Sequence, residues 1–180
     1  MFHVHRIALF ACLALTAAAL PASPGQAKHK APAKAAEAQA PQFFTTPLTL
    51  EQMRGKQAVL ETTMGRIVIE LLPEQAPNHV GYFMKLVEEG AYRGTTFHRL
   101  IARGIIQGGD PLSKDPEEKA LYGTGGLGFL KSEPGAGSHV RGAVSAVLVP
   151  GKRDSAGSQF FICVVPQPAL DGQYTVFGRV

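Results

Sequence analysis

Residues 97 to 110 read FHRLIARGIIQGGD and set a cation, Arg99, and an amide, Gln107, into short apolar runs. Arg99 carries a guanidinium that stays charged and holds five N–H donors in a flat fork, whereas Gln107 both donates and accepts. Neither has an obvious partner close by in sequence. Side chains two apart on a strand point the same way, so Gln107 shares a face with Ile105 and, further on, Gln159 shares one with Phe161. Phe160 and Ile162 take the opposite face. Each pair offers one apolar and one amide group to the same side. Periodicity alone leaves a second reading open, with the amides on a wet outer sheet surface and Arg99 in an ordinary surface ion pair.

The remaining polar motifs exclude other chemistries. The six histidines show no H-E-x-x-H or other ligand spacing, and Ser158 lies outside any G-x-S-x-G elbow. Gly123 to Gly128, GTGGLG, satisfies the dinucleotide pattern, yet FLKSEPG follows it with no helix to receive a pyrophosphate. With two cysteines, Cys12 and Cys163, neither a disulfide framework nor a cysteine metal cage is available. No metal and no cofactor is expected.

The elements that must position these residues punctuate as short strands and one helix. AVLETTMGRIVIEL predicts a hairpin turning near Met64 and Gly65. In APNHVGYFMKLVEEG the period changes: Val80, Phe83, Met84 and Val87 form one helical stripe, with Pro77 near its start and Gly90 just past its end. Further strands are predicted over Thr96 to Ile101, Ile105 to Gln107, Ala143 to Val149, Gln159 to Val165 and Tyr174 to Val180. Seven short strands with turn-rich connections point to a mostly β barrel or sandwich.

The 180 residues, 45% hydrophobic, suit one domain plus extensions. Residues 1–27 read as a signal peptide: a weakly basic start, an apolar run from Ile7 to Leu20, and small residues around Gly25 to Ala27. The run is short for a bilayer span, so no stable membrane insertion is expected after cleavage; an uncleaved tether is the alternative. Residues 28–42, rich in Ala, Lys and Pro, read as a flexible linker, leaving 43–180 as the folded domain. From residue 42 onward 14 Lys and Arg face 13 Asp and Glu, so the folded part carries +1 of the formal +4. That balance argues against a nucleic-acid partner.

GTTFHRLI, QGGDP, GTGGLG, GSQFFI and LDGQYTVFGRV stand in the order and approximate spacing of a cyclophilin, the peptidyl-prolyl cis/trans isomerase family, and the chain resembles that family from about residue 57 onward. The resemblance implies an antiparallel eight-stranded barrel capped by two helices, with an outer groove for Xaa-Pro segments; the chain is expected to be a monomer and, from its leader, to be exported to the periplasm or another extracytoplasmic space. It implies Arg99 as the catalytic arginine and Gln107 as the group orienting substrate. Phe97, Ile105, Val147, Gln159, Phe161, Leu170 and Tyr174 would bind substrate, with Phe161 and Leu170 at the proline ring. His98 would be a structural hydrogen-bonding residue.

Several positions depart from the family pattern. Gly104 stands where a pocket phenylalanine is usual, and Ala169 where a groove tryptophan is frequent. Losing a large buried apolar side chain forfeits roughly 1.5–3 kcal/mol, so a shallower pocket is expected. PLSKDPEEKALY is longer than the usual connection and is expected to form a helical turn beside the groove. Members generally continue past VFGRV with a helix and a closing strand, so an open barrel is expected here. Gly104 and Ala169 also support an alternative function, a proline-peptide-binding or chaperone module with weak turnover.

Overall fold

The computed structural model describes residues 42–133, 135 and 137–180; the expected signal peptide and nearly all of the expected linker lie outside the described residues. The hairpin forms where alternation predicts it, β1 (Gln57–Thr62) against β2 (Gly65–Leu71). Gly65, at φ +129, takes the turn conformation a side chain would resist. Preceding them, α1 (Leu50–Met53) is held by a capping box between Thr49 and Gln52 and buries Met53 completely.

The apolar stripe forms α2 (Pro77–Glu88), which buries Val80 and Phe83 against the sheet. Its N-cap, Ala76, has no side-chain acceptor. Glu133 supplies one from far along the chain: its carboxylate accepts the N–H groups of Asn78 at 3.2 Å and His79 at 3.0 Å, and the His79 ring at 2.7 Å. Negative charge there also complements the helix dipole. Burial raises the affinity of Glu133 for its proton, but hydrogen bonds from the His79 ring and from the His79 and Asn78 backbones more than offset this, leaving its pKa lowered.

Five more strands follow: β3 (Arg99–Leu100), β4 (Ile105–Gly108), β5 (Ala143–Ala146), β6 (Phe160–Cys163) and β7 (Val176–Arg179). All pairings are antiparallel, in one seven-stranded sheet of order β1-β2-β7-β5-β6-β4-β3. Among the described residues the sheet has seven strands and curls into a half-barrel, the open form expected of the family's eight-stranded barrel without its closing strand. Among the described residues α2 is the one α-helix longer than a single turn, as the sequence pattern predicts, and α1 adds one turn. Between β1 and the 90–97 segment a cavity of about 440 Å³ opens, floored by Phe83, Phe97 and Phe160.

Alternation along the strands divides the apolar side chains into two clusters. Phe160, Ile162, Val144 and Phe177 join Val80 and Phe83 in the main core. Phe161, Cys163, Ala143 and Val176 turn the other way and gather Ile105, Val147, Leu170 and Tyr174. Several strands are shorter than expected because side chains take their backbone groups: the Thr96 N–H donates to Ser113 Oγ and that of Val149 to Ser155 Oγ. PLSKDPEEKALY forms two 3-10 turns, Pro111–Lys114 and Pro116–Leu121, N-capped by Asp110 and Asp115. Among the described residues no helix is long and apolar enough to cross a membrane.

Candidate active site

Cross-strand register places Arg99 opposite Gln107, Gln107 opposite Phe161, and Phe161 opposite Ser145. Directly opposed residues share a face, so one row crosses four strands on the outer surface. Arg99 Nη1 donates to Gln107 Oε1 at 3.1 Å, Gln107 Nε2 donates to Gln159 Oε1 at 3.0 Å, and Gln159 Nε2 donates to the Gly125 carbonyl at 2.7 Å.

The polarity of that chain is determined at both ends. A guanidinium can only donate and a carbonyl can only accept, so each glutamine between them has one amide orientation that satisfies both neighbours. Burial raises the cost of breaking it: Gln107 is 5% and Gln159 1% exposed. The wet-surface reading of these amides is therefore overturned. Arg99 itself is exposed, and among the described residues its contact is this amide rather than a carboxylate.

Asp110, which closes the QGGD string, anchors the far end. Fully buried, its carboxylate accepts the N–H groups of Gly123, Gly125 at 3.3 Å and Leu112 at 2.8 Å. A Cβ on Gly125 would collide with that carboxylate, and one on Gly126 with Ser158 Oγ. The glycines of GTGGLG thus let the loop close over Asp110 and Ser158, and present the Gly125 carbonyl to Gln159.

Beside the row lies the apolar slot. Phe161 forms its floor, with Tyr174 edge-on at 5.6 Å and 86°, and Ile105, Val147 and Leu170 packed around them. Gly104 is buried, and a Cβ there would come within 2.8 Å of Ile101 Cγ2, so Ile101 occupies the room a larger side chain would need. A hollow of about 300 Å³ continues from Tyr174, lined by Leu148, Lys152, Arg153 and Gln173 among others, which gives the groove room beyond the slot.

Of the expected site residues, Arg99, Gln107, Gln159, Ile105, Val147, Phe161, Leu170 and Tyr174 come together on this face. Phe97 does not. Its ring packs edge-on against Phe160 at 6.2 Å in the main core, and Gly108 leaves the space for it; the chain leaves the strand ladder before Arg99, so alternation does not carry to Phe97. Gln159 shares the face but is covered, both ends of its amide engaged within the protein. His98 also departs from expectation: its ring lies edge-on to Tyr122 at 6.2 Å, and neither nitrogen hydrogen-bonds among the described residues. Asp110 went unrecognised as part of the site, although its place at the end of QGGD beside a glycine-rich loop was a usable signal.

The family model of the cyclophilin type peptidyl-prolyl cis-trans isomerases matches residues 57–180. A peptidyl-prolyl cis-trans isomerase of Helicobacter pylori is 41% identical over 133 residues, covering 72% of this chain and 76% of that protein. Peptidyl-prolyl cis-trans isomerase B of Bacillus subtilis is 43% identical over 116 residues, 64% of this chain and 76% of that protein. Among solved structures, a Cryptosporidium parvum cyclophilin crystallised in the presence of the dipeptide Ala-Pro superposes with a TM-score of 0.61. It is 32% identical, over 69% of this chain and 77% of that one.

Proposed function

The chain belongs to the cyclophilin-type peptidyl-prolyl cis-trans isomerases, and we propose that it turns Xaa-Pro bonds through a donor, Arg99, that grips the proline nitrogen only when the imide is twisted. Rotation about a peptide bond costs roughly 18–20 kcal/mol because amide resonance must be broken. Uncatalysed prolyl isomerisation therefore takes on the order of 10–100 s at room temperature. In the planar bond the nitrogen lone pair is delocalised and accepts poorly. At the twisted geometry it localises and becomes an acceptor. A donor aimed at that point binds the transition state better than either ground state, and each 1.4 kcal/mol of difference is about tenfold in rate.

The observation carrying this reading is the hydrogen-bonded row from Arg99 through Gln107 and Gln159 to Gly125. It holds the guanidinium through one N–H while leaving others to face a ligand, beside the apolar cluster of Phe161, Ile105, Val147, Leu170 and Tyr174. Gln107 would orient the substrate backbone, Gln159 would hold Gln107, and Phe161, Leu170, Tyr174, Ile105 and Val147 would enclose the ring. No proton transfer is needed, so His98 has no role as a base. The test follows cis-to-trans conversion of a short Xaa-Pro peptide. Wild type is expected to accelerate it well above the uncatalysed rate and Arg99→Ala to lose most of the gain; equal acceleration by both proteins rejects the assignment.

A second reading keeps the slot and gives up turnover, favoured by Gly104 and by the exposed Ala169. It expects saturable peptide binding with isomerisation near the uncatalysed rate. The biological role proposed is assistance to the folding of exported proteins, supported by the leader-like composition of residues 1–27. Recovery from the extracytoplasmic fraction of a chain starting near residue 28 is expected; a full-length chain retained in the cytoplasm would contradict it.

A further inference from the structure

His139 lies outside the row just described, yet three of the side chains around the slot, Phe161, Tyr174 and Leu170, are tied to it. Its ring is 1% exposed, stacks beneath Phe161 at 5.9 Å and 16°, and meets the edge of Tyr174 at 6.4 Å and 81°. Leu170 is reached through the backbone. It sits at the end of the 3-10 turn Pro168–Leu170, which has no side-chain cap and no buried residue of its own. That turn is clamped at both ends on His139: the Gln167 N–H donates to the His139 carbonyl at 2.7 Å, and Asp171 Oδ1 accepts both the His139 N–H and ring Nδ1 at 2.8 Å. A carboxylate only accepts, so Nδ1 carries the proton. Nε2 lies 3.1 Å from Ser145 Oγ, which fixes the ring plane from below.

We infer that the His139–Asp171 pair is the positioning device of the proline slot, setting the depth of Phe161 through the stack and the placement of Leu170 through the clamp. The inference rests on the reading of this slot as the proline site. The other hydrogen bonds of Leu170 are local, from its N–H to Gln167 and to its carbonyl from Gln173 and Tyr174, so loss of the Asp171 contacts loosens the turn against His139 while leaving the sheet intact. The donor row is untouched by that change. Slot and donor are therefore separable, and the pair governs binding of the ring rather than rotation of the bond.

The experiment measures kcat and KM for an Xaa-Pro peptide on the full chain, together with the melting temperature, for wild type, Asp171→Ala and Asp171→Asn. Asp171 is at the surface, so these variants test the clamp without emptying the core as His139→Ala would. Asp171→Ala is expected to raise KM about fivefold or more with kcat within twofold. Asp171→Asn, whose side-chain oxygen accepts the same two N–H groups, is expected to restore KM to within twofold of wild type. An unchanged KM in Asp171→Ala, or an Asn variant as impaired as the Ala variant, overturns the inference. Lack of turnover in wild type would instead count against the catalytic reading, and the same comparison made on peptide Kd by titration then decides the positioning role.

Discussion

Replacing Gln159 by Leu removes the middle of the donor row while keeping its volume. The wild-type amide makes two hydrogen bonds, from Gln107 Nε2 and to the Gly125 carbonyl. With Leu in its place the buried Gln107 amide loses its acceptor, and the half-buried Gly125 carbonyl loses its donor. A buried donor left unpaired costs about 1–3 kcal/mol and the half-buried carbonyl less, so Gln159→Leu is expected to destabilise the fold by roughly 1–4 kcal/mol, a large share of a typical total of about 5–15 kcal/mol. The kinetic effect is separate. Without Gln159 the Gln107 amide can turn over, and its carbonyl then faces Arg99 for only part of the time. A fall in the aligned population to about a tenth corresponds to 1.4 kcal/mol, hence a tenfold loss of kcat/KM. Prolyl isomerisation is to be followed by NMR exchange at a temperature where circular dichroism shows the variant fully folded, so that the rate is per folded molecule. A lowered melting temperature with kcat/KM within twofold of wild type would refute the reasoning, since Gln159 would then support the fold without aligning the arginine.

Three further outcomes follow from the surrounding structure. Glu133 has a pKa lowered in the folded protein, so its contribution is fully present above the unfolded carboxylate range and is lost as pH falls through the folded value; in urea titrations Glu133→Gln should cost about 1–3 kcal/mol at neutral pH, with the difference from wild type shrinking in acid. Cys163 is buried, and burial together with the nearby Asp171 carboxylate pushes its thiol up to about 11, so iodoacetamide at pH 8 should leave Cys163, followed by peptide mapping, unmodified in the native protein and alkylate it only after denaturation; rapid native labelling of Cys163 would show that the second apolar cluster opens. Arg103 holds φ +55 in the β3–β4 turn, and Arg103→Gly should raise the urea midpoint by the equivalent of up to about 1 kcal/mol, the left-handed strain exceeding the added chain entropy of glycine; a lowered midpoint would mean that the arginine side chain compensates for its backbone.

The features legible in the sequence were those set by local period and turn chemistry. Alternation put Gln107 with Ile105 and Gln159 with Phe161, and the stripe of Val80, Phe83 and Met84 marked the one long helix among the described residues. What alternation could not supply was burial: a face known to be the outer one reads as wet, yet the loop from Gly123 to Gly126 folds over Gln159 and dries it. Phe97 was placed at the site through the resemblance alone, and its ring packs into the main core instead, against Phe160. Glu133 and His139 were illegible for a different reason. Their partners lie tens of residues away, at His79 and Asp171, and no local pattern announces a contact of that range.

The central claim is that Arg99 acts on the twisted bond and hardly at all on the flat one. It is tested most directly by measuring, for wild type and Arg99→Ala, both the affinity for an Xaa-Pro peptide and the rate at which bound peptide interconverts. A donor used only at the twisted geometry predicts affinities within about threefold and an interconversion rate lower by roughly fiftyfold or more, about 2.3 kcal/mol of transition-state stabilisation. A variant whose affinity falls as far as its rate would contradict the account, because the arginine would then be holding the substrate rather than the half-turned bond.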